Sequence, residues 1–300
     1  MVSPGLFQYA DANRRRSVIL IVVAVLLLGL FGLLLGEAVG RVPWIGLSVA
    51  TGLALVLALT AWTQGGALVL AASGAKEIGK SADPELVNVV EELCIASGLP
   101  RPRIFVIDSQ APNAFATGMA PEKSAVAITR GLRERLTREE LQGVMAHEMA
   151  HIGNRDTRVM VLMAVIVGSI AILADIYLRG MRYGGMRSKG KGAAPMAILA
   201  LVCAILAPLA ATMVQFAVSR RREYLADATG AAMTRNPGAL ADALEKLSTT
   251  DRKLESATRG TQHLFIVNPL RPRQTLNHVF ATHPPVAERI RKLRALAGAR

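Results

Sequence analysis

The stretch Thr137-Arg138-Glu139-Glu140-Leu141-Gln142-Gly143-Val144-Met145-Ala146-His147-Glu148-Met149-Ala150-His151-Ile152 decides how the chain is read. Thr137 followed by Glu140 is a capping box, so a helix is expected from Arg138 to about Ile152. His147 and His151 then share one helical face, and both imidazoles can converge on a single cation. Glu148 follows the first histidine and can reach a water held in the open coordination position. Leu141, Val144, Met145, Glu148 and Ile152 fall on the side expected to be buried. An unpaired carboxylate on that side is costly, and a water on a metal offers it a partner. A solvated helix with two incidental histidines has no such need.

His147-Glu148-x-x-His151 is the H-E-x-x-H spacing of zinc peptidases, so one zinc ion per chain is expected, with Glu148 as general base. Zinc supplies the Lewis acidity, and Glu148 would take a proton from water and pass it to the leaving amine. A catalytic zinc takes three protein ligands, so a third must come from elsewhere. The acidic residues and His263, His278 and His283 are candidates. Ser219-Arg220-Arg221-Arg222-Glu223-Tyr224-Leu225-Ala226-Asp227 again sets two acids, Glu223 and Asp227, on one helical face. One could ligate while the other orients a histidine from behind. Alternatively both acids neutralise Arg220–Arg222 on an amphipathic helix beside a membrane. Spacing alone leaves both readings open.

The surroundings of these motifs are apolar. Hydrophobic residues make up 52% and charged residues 19%, with mean hydropathy +0.36. A soluble chain usually carries about 25% charge. Val18–Gly36 and Val42–Trp62 are uncharged runs long enough to cross a bilayer. Arg14–Arg16 before the first run also fit a signal peptide, but the run is too long and a second follows at once. Glu37–Arg41 would make the tight turn of a membrane hairpin with its N-terminus in the cytoplasm. Val159–Ala174, interrupted by Asp175, and Ala193–Val218 are weaker runs. They either cross or form a partly buried helical pair, because the basic loop 179–192 between them opposes the positive-inside rule. The net charge of +13 suits anionic lipid, and no interleaving of aromatic and basic residues points to nucleic acid. The two cysteines, Cys94 and Cys203, make no disulfide framework.

The expected organisation is a cytoplasmic segment 1–17, a transmembrane hairpin 18–62, and a polar domain in two halves, 76–158 and 219–300. The second hydrophobic hairpin, 159–218, would split that domain. Ser81–Glu85 reads as a helix start and Gly98 as its stop. Arg103–Ile107 and Ser124–Thr129 read as strands. Pro237 opens a helix to about Ser248, and a last helix follows Pro285.

Four segments together resemble the membrane-bound zinc endopeptidases of the HtpX type, relatives of the CAAX-prenyl endopeptidases. They are Pro112-Asn113-Ala114-Phe115-Ala116-Thr117-Gly118, the His147–His151 motif, Arg222-Glu223-Tyr224-x-Ala226-Asp227, and Thr282-His283-Pro284-Pro285-x-x-x-Arg289. The resemblance covers about residues 75–293. It implies zinc ligands at His147, His151 and Glu223, with Asp227 behind them. It implies a mainly α membrane protein, four hydrophobic helices carrying an α+β gluzincin-like protease domain. It further implies a multi-pass protein of the bacterial inner membrane, with the site on the cytoplasmic side and misfolded or damaged membrane proteins as substrates. A catalytically silent membrane scaffold or transport component is the alternative from another class.

The segment Asn113-Ala114-Phe115-Ala116 is expected to be a short exposed edge strand that takes substrate as an added strand. The alternative is a connecting loop with Phe115 filling the core. His283 is either a turn residue or a donor near the substrate.

Overall fold

The computed structural model describes residues 4–166, 220–250, 252–258, 261–270 and 284–298. The chain begins with two long antiparallel helices, α1 (Pro4–Gly40) and α2 (Pro43–Ala72). Only Arg41 and Val42 separate them, with Arg41 at φ 53°. The helices approach closely because Gly32 and Gly46 face each other: a Cβ on Gly46 would lie 2.0 Å from the Gly32 carbonyl oxygen. Both helices are long and apolar enough to span a bilayer, and their outer faces expose Leu26, Leu30, Val49, Leu53 and Leu59.

The helices of this hairpin run past the expected limits of the spans. α1 is continuous across the expected start at residue 18, and the apolar window Ser17–Leu34 lies within it. α1 is helical from Pro4, and Asn13 and Ser17 are buried. α2 runs ten residues past Trp62, to Ala72. Its last turns bury Gly65, Val69 and Leu70, and Val69 and Leu70 pack with Phe105, Ile107 and Phe115 of the sheet.

The polar domain is built on a four-stranded sheet, order β1-β2-β4-β3, with β1 (Ala75–Glu77), β2 (Arg103–Ile107), β3 (Ala114–Gly118) and β4 (Ser124–Thr129). β2 and β4 are parallel; β1 and β3 pair antiparallel at the two edges. One face packs on α3 (Pro84–Ser97) and α5 (Arg138–Gly153) through Ile104, Ala116, Val126 and Ile128. The other packs on the end of α2 and the chain near Phe265 through Phe105, Phe115, Ala125 and Ala127. Both faces being covered explains why β4 is buried at every residue and reads as a continuous apolar run.

The caps form as the sequence reads. The Asp83 carboxylate accepts from the Leu86 N–H at 3.0 Å, and Gly98 closes α3 at φ 70°. The Thr137–Glu140 capping box opens α5 after the short α4 (Arg130–Arg133). Past the undescribed region come α6 (Arg220–Thr234), α7 (Pro237–Ser248) and α8 (Val286–Gly298). A further helical stretch, residues 156–166, begins before the expected hairpin boundary at 159. Its Val161, Leu162 and Met163 are fully buried. The rest of that hairpin, including Asp175 and the basic loop 179–192, lies outside the described residues. Two hydrophobic helices are therefore described rather than four.

Candidate metal centre

α5 is buried almost all round, not on one side: every residue from Gly143 to Ile152 is buried. It is clamped between the sheet and α6, and Gly230 permits the contact. A Cβ there would come within 3.0 Å of the His147 backbone nitrogen. This approach brings the first turn of α6, with Glu223 and Asp227, over the two histidines.

His147, His151 and Glu223 offer ligand atoms that all lie within 4.8 Å of one another. Glu223 Oε1 is 3.5 Å from His151 Nε2, and Glu223 Oε2 is 3.8 Å from His147 Nε2. Ligand atoms around a tetrahedral zinc with bonds near 2.1 Å stand about 3.4 Å apart, so the pocket is close to that size. Each histidine is fixed from behind by a carboxylate. His147 Nδ1 lies 3.0 Å from Asp227 Oδ1, and His151 Nδ1 lies 3.0 Å from Asp156 Oδ2. Both rings therefore present Nε2 to the same point, as metal-binding histidines do.

Glu148 is the best single indicator of what is held there. It is fully buried, and one carboxyl oxygen accepts from the backbone N–H of Ala116 on β3. The other, Oε1, is buried with no hydrogen-bond partner among the described residues. Burial pushes its pKa up to about 7, so the carboxyl can take and return a proton near neutrality. His147 is pushed down, by burial and by the Arg289 charge, and stays neutral. Burial also opposes protonation of His151, but Asp156 and Glu223 outweigh it and raise its pKa to about 9. Four carboxylates (Glu148, Asp156, Glu223 and Asp227) meet two guanidiniums, Arg222 and Arg289. When both imidazoles are neutral, as metal binding requires, these carboxylates outnumber the guanidiniums, and that excess suits a divalent cation.

Two parts of this site escaped sequence reading. Arg289, quoted above only as part of a motif, is fully buried and donates to Asp227 from Nε (2.8 Å) and Nη2 (2.7 Å). It also donates to the Ile266 carbonyl at 3.0 Å and stands 3.4 Å from Glu223. Asp156 follows Arg155, whose φ of 56° ends the turn after α5 and swings the carboxylate back to His151. An acid five residues beyond the second motif histidine was the available signal.

The expected substrate edge is also different. β3 is an edge strand, but its outer side is not open at the expected residues. The Ile266 N–H donates to the Ala114 carbonyl at 2.9 Å, and Asn113 Nδ2 donates to the Val267 carbonyl at 3.1 Å. Phe115 packs edge-on against Phe265, ring centroids 5.0 Å apart, and is fully buried. Asn113, Ala114 and Phe115 thus hold the 265–267 segment, while the Ala116 N–H faces Glu148. His263 is taken up by the Met160 carbonyl, 2.9 Å from Nε2. His278 and His283 lie outside the described residues.

Peptidase family M48 matches residues 80–297. A "Protease HtpX homolog" of Tropheryma whipplei (strain TW08/27) is 42% identical over 97% of this chain and 98% of its own length. Another, of Listeria monocytogenes serotype 4a, is 39% identical over 96% and 99%. The crystal structure of S. mikatae Ste24p shares the fold, with TM-score 0.51 and 20% identity, covering 96% of this chain and 67% of that one.

Proposed function

The chain belongs to peptidase family M48 and is a membrane-bound metalloprotease, and from that premise we propose a zinc endopeptidase acting on misfolded or damaged membrane proteins. The observation that carries the reading is the buried Glu148 Oε1, without a hydrogen-bond partner among the described residues, in a carboxyl that feels the charges of His151 and Glu223 of the His147–His151–Glu223 group. His147, His151 and Glu223 would hold the metal. Zinc bound there supplies Lewis acidity toward a water and a peptide carbonyl. Glu148 Oε1 accepts the water's proton, and its raised pKa lets it return that proton to the departing amine. Asp227 and Asp156 keep the two rings oriented, and Arg289 holds Asp227 in place. A silent scaffold has no use for a buried carboxyl poised in this way.

Two features support action at a bacterial inner membrane from the cytoplasmic side. α1 and α2 form one hairpin whose two ends return to the polar domain. Arg14–Arg16 lie at the same end of α1 as Asn13, which touches Asp156 beside the site. Unfolded or membrane-protein segments and membrane lipid are the expected partners. The test is digestion of casein by full-length protein purified in detergent and chelator. New peptides should appear on adding zinc and not without it; digestion indifferent to zinc would overturn the reading.

A further inference from the structure

Asp156 joins three parts of the chain. Its Oδ2 holds His151 Nδ1 at 3.0 Å. Its Oδ1 accepts from Asn13 Nδ2 at 2.8 Å and lies 3.8 Å from the Arg222 guanidinium. The same Asn13 amide nitrogen donates its second proton to the Asn154 carbonyl at 3.0 Å. A side-chain amide has two N–H donors, so this fork grips both the carboxylate and the turn that presents it. Asn13 is 2% exposed, and 143 residues of sequence separate it from Asp156. Five residues further along the same helix, Val18 already faces outward with the apolar side of α1.

We propose that Asn13 is a positioning residue that ties the first membrane helix to the metal centre through Asp156 and His151, so that the centre holds its metal tightly only when that helix is docked. This rests on the metal-site reading above. A carboxylate behind a metal-binding histidine fixes the ring and raises its basicity. That carboxylate is itself buried, and its orientation depends on the donors at its other oxygen. Removing the Asn13 donor leaves Oδ1 to reorient, and the His151 ring moves with it. A consequence for the cell is that a copy whose first helix is not in place beside the domain would hold zinc less tightly.

The test is zinc affinity of the full-length chain in detergent, by competition with a chromophoric chelator. Asn13→Ala should weaken affinity about tenfold, the low end of the range for partners that orient metal ligands. Asn13→Asp keeps the size but sets a second carboxylate against Asp156, and should weaken it at least as much. In an Asp156→Ala background, Asn13→Ala should change affinity no further. A purely structural role would reduce stability in both backgrounds alike and give no such dependence. Wild-type affinity in both Asn13 variants, or the same fold loss with and without Asp156, would overturn the inference while leaving the metal site intact. A wild-type chain that binds no zinc would overturn the metal-site reading itself.

Discussion

Arg289 grips Asp227 with two parallel hydrogen bonds, Nε to Oδ2 at 2.8 Å and Nη2 to Oδ1 at 2.7 Å, in the buried wall of the metal centre. Burial alone would raise the Asp227 pKa, but the Arg289 charge and these bonds outweigh it and hold it at about 2. A folded pKa below the unfolded value of 3.8 means stabilisation that is complete above that value and lost as pH falls toward about 2. Removing the guanidinium strands a buried carboxylate, so Arg289→Met should cost on the order of 3–5 kcal/mol of stability. Lysine lacks the planar fork, so Arg289→Lys should recover only part of that. Denaturant unfolding in detergent reads both variants; wild-type stability in either would contradict this role.

Glu148→Gln should keep the metal and lose cleavage. Glu148 is not among the three residues whose ligand atoms group to hold a metal, so the metal should stay. General acid–base catalysis is worth roughly 10²–10⁴ in rate, and casein turnover should fall by at least that. A Gln variant that cuts near the wild-type rate would end the assignment of Glu148 as base.

Three acids should separate by zinc affinity. Glu223→Ala removes a direct ligand and should nearly empty the site. Asp227→Ala and Asp156→Ala remove the partners of His147 and His151, and each should weaken binding about 10–100-fold. A site emptied by Asp227→Ala but loaded in Glu223→Ala would exchange the two roles.

Zinc affinity should rise with pH. A cation needs neutral imidazole, and His151 without metal titrates near pH 9. Below that value a proton must leave His151 for each ion bound, so apparent affinity should fall about tenfold per pH unit from this group alone. Chelator competition at several pH values measures it, and a flat profile would contradict the buried Asp156–His151–Glu223 arrangement.

Much of this centre was legible locally. The Thr137–Glu140 box, the histidine spacing and the Asp83 and Pro237 starts each depend on residues within one helical turn, and each formed as read. Contacts between distant residues were not legible. Arg289 meets Asp227 across 62 positions, and Asn13 meets Asp156 across 143. Hydropathy likewise did not show that α2 continues to Ala72 and packs Val69 and Leu70 on the sheet, because burial against a domain and burial in lipid select the same residues. The β3 edge was misread for a related reason. Its pattern is that of a short edge strand, but what closes it is Phe265 and Ile266 from the far half of the chain.

The most direct measurement is zinc stoichiometry by equilibrium dialysis of the metal-free, full-length chain, paired with casein cleavage of the same samples. One zinc per wild-type chain is expected, with cleavage appearing in proportion to loading. Glu148→Gln should bind one zinc and not cleave, and His147→Ala with His151→Ala should do neither. A wild-type chain that cleaves casein fully while binding no metal would contradict the metal-dependent mechanism.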